Sequence, residues 1–542
     1  MALRSNEPYV PRLTPGPEGS PAGPGLQGSF HEHGASQLCD FVTWGIERMP
    51  YAVRQALLSE GHATNPISMG TMCSGSEAPV LVMRAWAAAM EKHTQKQHRI
   101  VQGFSVEINK KKQTFIAEMF GQEVGALYAD VNDVATKAFV PDLLRGGSPT
   151  KVAEVARLFA GFPCQDVSHY NQNRKQHKQV VMIGEARTGK VFQSLVKYAV
   201  RAGPQALLLE NVMGLMTVYK DSTFSNLDYC VAALEQIGMF VFVAKLNPAM
   251  FGVPVTRDRL YILCFPLETL EKAGINKPQA DRILQHLLDP LVTVEARDFD
   301  EYLLPESHPA IATLRSEAAL MPEPRASKRL KLNTGKWAEA QAQLMEERGL
   351  EWWVSPVPHS SVFVEFPLLK NITYRQFDIL RLHGFQFPDE RGRQIDLGQS
   401  GQRAKVHEKT RSSIVTPGCS IYLGSRCRFA HGIECMHMQS IHYGSNHQHL
   451  AKYPEPLLRD LAGNAWECTC AASMVIVQEA FLAICHQRCA KEVLNVLGAP
   501  PGQQPQLAGK ASPSAGAFRR AGTLGLHWAE QDLDEALSWD TD

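Results

Sequence analysis

From Ile67 to about Phe265 the chain alternates short apolar runs with amphipathic stretches: ISMGTMC, EAPVLVMRAWAAAMEK, IVQGFSV, KKQTFIAEMF and GALYAD, then VARLFAG, KVFQSLVKYAV, ALLLEN, LDYCVAALEQIG, MFVFVAKL and RLYILCF. Runs of strand length separated by helical periodicity are the pattern of parallel strands joined by crossover helices. The prediction is an α/β fold, a doubly wound and mostly parallel sheet with helices on both faces. After about Pro266 the rhythm degrades into Pro-rich turns and two Trp-containing segments, which read as an insertion. A helical pattern resumes near Gly432–Ile441 and again across Ala465–Val496. Residues 1–35 include a Pro/Gly/Ser-rich lead-in (PGPEGSPAGPGLQGS) that cannot pack a core and is expected to be disordered.

Charge and length remove several classes. The 542 residues carry 55 Lys+Arg and 55 Asp+Glu, so net charge gives no argument for a polycation on nucleic acid or on anionic lipid. Any electrostatic footprint must be local. No run of about 18 uninterrupted apolar residues occurs, since Glu210 breaks one candidate and Gln478 and Glu479 break the other, so no membrane span is expected. The first residues lack the apolar core of a secretory signal, and the 12 cysteines at uneven spacing read as thiols in a reducing compartment.

Chemistry concentrates at three strand ends. Cys164 lies in Gly-Phe-Pro-Cys-Gln directly after the run VARLFA, where a parallel sheet collects its ligands and catalytic groups. Glu210 ends the run Ala206–Leu209, where partial desolvation would raise its pKa and let it donate a proton. Arg257 and Arg259 precede the strand Leu260–Phe265, two apart, and are expected to share a face. Taken singly, each group is more often a structural carboxylate, an ion-paired arginine or a small buried thiol. Together, a nucleophilic Cys, a proton-donating Glu and a cationic Arg suit methylation of cytosine at carbon 5, where thiolate addition at C6 and protonation at N3 turn C5 into an enamine carbon able to attack a methyl sulfonium. A positive charge near Cys164 would favour its thiolate, and Arg259 is the candidate.

Those peptides, in that order, resemble the C5-cytosine DNA methyltransferase family, whose catalytic Cys sits in Pro-Cys-Gln and whose base-binding Glu sits in Glu-Asn-Val. The likeness extends over roughly Ile67–Cys485. Thr71-Met72-Cys73-Ser74-Gly75-Ser76-Glu77 resembles the family's first-strand turn for S-adenosylmethionine, and Glu107 stands in the place of its ribose-binding acid. Asp130 matches the Asp that recognises the adenine amino group, Arg187–Phe192 a helix start, Arg428…Glu434…Gln439 a segment organising target recognition, and Gly463-Asn464-Ala465 an element closing over the cofactor. The resemblance implies a Rossmann-like methyltransferase with a smaller inserted target-recognition domain. It also implies S-adenosylmethionine as donor, held by Cys73, Gly75, Glu107, Asp130 and Asn464, and catalysis by Cys164, Glu210, Arg257 and Arg259. Two departures stand out: Glu77 where the family has a second glycine, and Val255 where it has Gln.

The reaction requires extrusion of the base from a duplex, with contacts from positive charge. Gln165, Arg174, Lys175 and Lys178, adjoining Cys164, are expected to contact nucleic acid; a second basic stretch at Arg391–Arg411 fits equally a phosphate contact or a solvated loop. DNA is the expected partner. Ala326–Leu332 looks like a nuclear-import signal, so the expected compartment is the nucleus. No metal is expected, because Cys419, Cys427, Cys435 and the neighbouring histidines include no CxxC pair. The expected division is a lead-in at 1–35, a catalytic domain at 36–265, a target-recognition region at 266–427 with a flexible basic loop near 322–334, a return at 428–496, a linker at 497–522 and an acidic amphipathic tail at 523–542. That tail either docks a protein partner as a helix or binds nothing. Two alternatives to a DNA methyltransferase stay open: a tRNA cytosine-5 methyltransferase, which a long insertion disfavours, and an inactive DNA-binding chromatin homologue.

Overall fold

The computed structural model describes residues 7–13, 28–59, 66–168, 180–184, 186–219, 222–293, 297–325, 336–350, 360–401, 403–408 and 411–487. Arg174, Lys175 and Lys178, the basic loop Ala326–Leu332, the linker 497–522 and the acidic tail 523–542 lie outside these residues.

The central sheet is built from β1 (Ile67–Met72), β2 (Ile100–Val106), β3 (Leu127–Tyr128), β6 (Arg157–Gly161), β7 (Ala206–Val212), β8 (Met239–Leu246) and β9 (Arg259–Pro266), with the hairpin strands β4 (Phe139–Asp142) and β5 (Ser148–Lys151) standing apart. Its order is β3-β2-β1-β6-β7-β9-β8. Neighbours pair in parallel from β3 to β7, whereas β9 runs antiparallel to both β7 and β8. The predicted doubly wound sheet is therefore present, with one reversed strand.

Both faces are buried, which explains why the strands read as continuous apolar runs. Phe159, Leu208, Tyr261 and Leu263 point into one core, shared with the helices Phe30–Arg48, Ala78–Thr94, Lys110–Phe120, Lys277–Leu288 and Cys468–Gln487. Leu158, Ala160, Leu207, Leu209 and Ile262 point into the other, shared with the helices Val131–Thr136, Ala186–Ala202 and Asn226–Gln236. The helix Cys468–Gln487 is long and apolar enough to pass for a membrane span, yet Cys468 through Cys485 are all buried within the protein. It is a core helix. Its Glu479 forms a buried two-point ion pair with Arg157, Nε to Oε1 at 2.6 Å and Nη2 to Oε2 at 2.9 Å.

A smaller domain has its own core of Phe363, Leu369, Phe377, Leu380, Ile395 and Tyr422 among others. Its antiparallel sheet has the order β11 (Val406–His407), β10 (Gln394–Asp396), β12 (Ile421–Leu423), β13 (Arg428–Phe429). Three expected boundaries shift. The helix Phe30–Arg48 starts inside the stretch assigned to the lead-in, because Phe30, Phe41 and Trp44 form an apolar stripe buried in the large core. Leu270 through Ile311 also feed the large core rather than the inserted domain. Finally, Arg428–Phe429 closes the small sheet instead of returning to the catalytic domain. The separately cored insertion is thus much shorter than 266–427.

Candidate active site

Strand direction assembles the site. Gly161 at the carboxyl end of β6 pairs with Glu210 near the carboxyl end of β7, and Val212 pairs with Arg259 at the start of β9. Because β9 is reversed, its first residue lies on the sheet edge where its neighbours end. Glu210 is buried, and its Oε1 sits 3.0 Å from Arg259 Nε without hydrogen-bond alignment and without another partner among the described residues. Cys164, in the loop after β6, is close enough that Glu210, Arg259 and Arg257 all act on its thiol. The structure therefore places Cys164, Glu210 and Arg259 on one edge of the sheet.

Electrostatics at the site oppose ionisation of both acids. Burial raises the Glu210 carboxyl above its ordinary value, against the pull of Arg259 and Arg257. Burial, followed by the Glu210 charge, raises the Cys164 thiol as well; the two arginines only offset part of this. Arg259 does favour the Cys164 thiolate, as expected, but desolvation outweighs it and the net shift is upward.

Arg257 and Arg259 do not share a task. The Arg257 guanidinium, buried at 3% exposure, donates to the carbonyls of Val415 (2.7 Å), Gly463 (3.2 Å) and Ala465 (2.8 Å). It lies before β9 rather than in it, so the two-residue alternation that would put both on one face does not apply. Arg257 joins three chain segments and is a positioning residue. Gly463 allows this approach, for a Cβ there would stand 2.1 Å from Pro417 N.

Three residues that sequence reasoning did not single out hold the Cys164 loop. Asn211 Nδ2 donates to Phe162 O at 3.0 Å, and Asp166 Oδ2 accepts from both Thr188 N and Thr188 Oγ1 at 2.9 Å. Trp466 covers Gly161 so closely that a Cβ would lie 2.5 Å from its Nε1. The signal for the first two was present, since Asn211 follows Glu210 and Asp166 lies two residues beyond Cys164. Gln165 is exposed beside the thiol.

Next to this loop a cavity opens between the β1 turn and the 464–466 segment, lined by Thr71, Cys73, Ser74, Ser76, Gly161, Asn464 and Trp466 among others. Gly75, at φ +53°, donates its N–H to Glu107 Oε2 at 3.0 Å, and Asn109 N donates to the other oxygen at 2.8 Å. Asp130 is exposed and caps the helix Val131–Thr136 through Asn132 N at 2.8 Å. Asn464 is exposed at the cavity rim, its amide tied to Asp460. Burial and the Glu107 charge push the Cys73 thiol up to about 12, so it lines the cavity as a neutral group. Acids at successive strand ends can accept hydroxyl and amino donors of a nucleoside, so the donor and acceptor set of these residues fits S-adenosylmethionine.

Glu77 occupies the turn in the left-handed conformation (φ +56°) that a glycine adopts without strain. Its side chain turns inward, fully buried, accepting from Thr71 Oγ1 at 3.1 Å while Oε2 has no partner among the described residues. Burial pushes this carboxyl up to about 7. A folded-state pKa above the unfolded one favours the fold below the ordinary carboxylate range, and that contribution is lost as pH rises toward 7. Thermal unfolding between pH 4 and 8 should show a decline on the order of 3 kcal/mol that Glu77→Gln removes. An unaltered pH dependence in that variant would contradict this assignment. Val255, the other departure, is buried and bridges Ser412, so it presents no polar group to the site.

Of the second basic stretch, Arg393 is consumed internally: it pairs with Asp389 at 2.7 Å and donates to His383 O and Gly384 O. It is not available to phosphate. Arg391, Arg403, Lys405 and Arg411 are exposed.

Residues 90–348 match the family described as C-5 cytosine-specific DNA methylase. The chain is 36% identical over 114 residues to the type II methyltransferase M.BanI of Aneurinibacillus aneurinilyticus, covering 21% of this chain and 24% of that protein. It is 30% identical over 163 residues to M.HaeII of Haemophilus aegyptius, covering 30% and 42%, and 25% identical over 200 residues to the DNA (cytosine-5-)-methyltransferase DMT5 of Cryptococcus neoformans, covering 37% and 8%. It thus spans less than half the length of each of these three relatives. The Entamoeba histolytica methyltransferase EhMeth superposes with a TM-score of 0.39 at 10% identity, over 77% of this chain and 98% of that one, and so loose a superposition distinguishes nothing about substrate.

Proposed function

We propose that this chain, a member of the C-5 cytosine-specific DNA methylase family over residues 90–348, is an S-adenosylmethionine-dependent methyltransferase acting on carbon 5 of cytosine in a polynucleotide. The observation that carries the reading is the convergence of Cys164, Glu210 and Arg259 at one sheet edge beside the β1-turn cavity. The Cys164 thiolate adds to C6 of an extruded cytosine. Glu210, whose carboxyl burial raises above its ordinary value, is placed to share a proton with N3, and Arg259 orients Glu210 and the base. Asn211 and Asp166 fix the loop carrying the nucleophile. When bound, S-adenosylmethionine supplies an electrophilic methyl group; Glu107, Asp130, Gly75, Cys73 and Asn464 would hold it.

DNA is the first substrate reading, carried by the family and by relatives described as DNA or type II methyltransferases. A specific observation favours a second, tRNA. The length of the insertion was the argument against RNA, and the structure assigns Leu270 through Ile311 to the large core, leaving a small separate domain. Transfer of labelled methyl groups to duplex DNA and to tRNA separates the two. Label in DNA alone supports the first reading, label in tRNA alone the second, and label in neither, with DNA still bound, supports an inactive homologue. Nuclear residence is part of the proposal and rests on the basic cluster Ala326–Leu332; a fluorescent fusion excluded from nuclei would refute it.

Proximity of the two acids has its own readout. The Glu210 charge raises the Cys164 thiol, so Glu210→Gln should move the alkylation titration of Cys164 to lower pH. A titration identical to that of the parent chain would place the two groups in separate environments.

A further inference from the structure

Ligand spacing along the chain indicated no metal, but the fold assembles a set of histidines that spacing could not reveal. His31, from the helix Phe30–Arg48, meets His437, at the end of the helix Gly432–His437, and His447, in the 3-10 segment Gly444–Lys452. One ring nitrogen of each lies within 4.8 Å of those of the other two. His437 Nε2 and His447 Nε2 are 2.9 Å apart, and His31 Nδ1 is buried without a hydrogen-bond partner among the described residues.

The hydrogen bonds define which nitrogens carry lone pairs. His437 Nδ1 lies 2.8 Å from Tyr302 O. A carbonyl only accepts, so the proton is on Nδ1 and the Nε2 lone pair faces His447. An imidazole anchored through Nδ1–H to a backbone carbonyl is the arrangement that orients a metal-binding histidine. Nearby imidazoles are already engaged: His442 Nε2–H donates to His31 O at 3.0 Å while its Nδ1 accepts from Gly444 N at 3.1 Å, and His308 Nδ1 accepts from Ala310 N at 3.2 Å.

We propose that His31, His437 and His447 bind a zinc ion through three ring nitrogens, with water as the fourth ligand. An all-imidazole donor set suits zinc and is poor for magnesium or calcium, which take oxygen. Zn–N bonds of ~2.0–2.1 Å in a tetrahedral site put ligand nitrogens about 3.3 Å apart. Binding therefore opens the His437–His447 gap slightly. It also moves the His447 proton from Nε2 to Nδ1, giving up the long 3.4 Å contact from Tyr443 N. The ion would tie the helix Phe30–Arg48 to the segment that carries Tyr443, whose hydroxyl donates to Ser76 O in the β1 turn at 2.9 Å. The proposal is independent of the reaction assigned to the active site.

The test uses the full chain, produced with zinc, passed through chelator-treated buffer and assayed by plasma mass spectrometry, then stripped and reloaded with Co²⁺. About one zinc per chain is expected, with Co²⁺ giving d–d bands and no thiolate charge-transfer band. His31→Ala, at a partly exposed position, and His447→Ala should each lose the metal, the former with unchanged far-ultraviolet circular dichroism. Three results would overturn the site: a folded parent chain that takes up no stoichiometric zinc on dialysis, metal retained in full by folded His31→Ala, or a thiolate-to-cobalt band showing that cysteines hold the ion.

Discussion

Cys164→Ala is expected to abolish the proposed methyl transfer while leaving the protein folded. The thiol lies in the loop after β6, partly buried, and the loop's backbone geometry is set by other groups: Asn211 on Phe162 O, Asp166 on Thr188, and Val167 and Ser168 donating to Cys164 O at 3.1 and 2.8 Å. Alanine keeps all of these contacts. Removing a covalent nucleophile typically costs on the order of 10⁴-fold or more in turnover, because the neighbouring groups lose the step they serve. Single-turnover transfer from labelled S-adenosylmethionine checks this, with unfolding curves as the control for the fold. Retention of more than about a tenth of the parent rate would exclude residue 164 as nucleophile.

The second large effect is on stability and lies at the junction with the inserted domain. Arg428, at 1% exposure, reaches Glu434 through two bonds of 2.9 and 2.8 Å and Glu306 through Nε at 3.0 Å. Glu434 also accepts from His431 N at 2.6 Å and Leu304 N at 2.9 Å. Burial works to raise the Glu434 carboxyl, but Arg428 and these backbone donors win and hold it below its ordinary value. Arg428→Met leaves that carboxylate buried without its counter-charge, at a cost of about 3–5 kcal/mol in chemical denaturation. Replacing both partners by apolar residues should recover most of the loss. Since the folded pKa of Glu434 is depressed, its contribution is present above the ordinary carboxylate range and is lost as pH falls through and below it. A loss under about 1 kcal/mol in the single variant would mean that the pair is solvated.

The sequence was most readable where strands were concerned. Runs such as ALLLEN and RLYILCF are apolar on both faces because β7 and β9 are covered on both, and their ends mark the site. The reversed direction of β9 left no trace in composition, though it is what delivers Arg259 to Glu210. Arg257 illustrates the limit: spacing suggested a partner for Arg259, whereas its true contacts are carbonyls 158 to 208 residues away. Glu77 was legible as an anomaly and not as a conformation, since only the backbone shows that it takes the left-handed turn. The histidine cluster escaped notice for the same reason as Arg257, with His31 lying some 400 residues before its neighbours in the chain.

One chemical trap decides the central claim. A duplex oligonucleotide and a tRNA, each carrying 5-fluorocytosine, are incubated with the chain and S-adenosylmethionine, and the product is digested and mapped by mass spectrometry. The account predicts a stable adduct on Cys164 with one of the two nucleic acids, dependent on the donor, absent in Cys164→Ala and strongly reduced in Glu210→Gln. An adduct at another cysteine, or none with either nucleic acid from protein that binds both it and the donor, would contradict it.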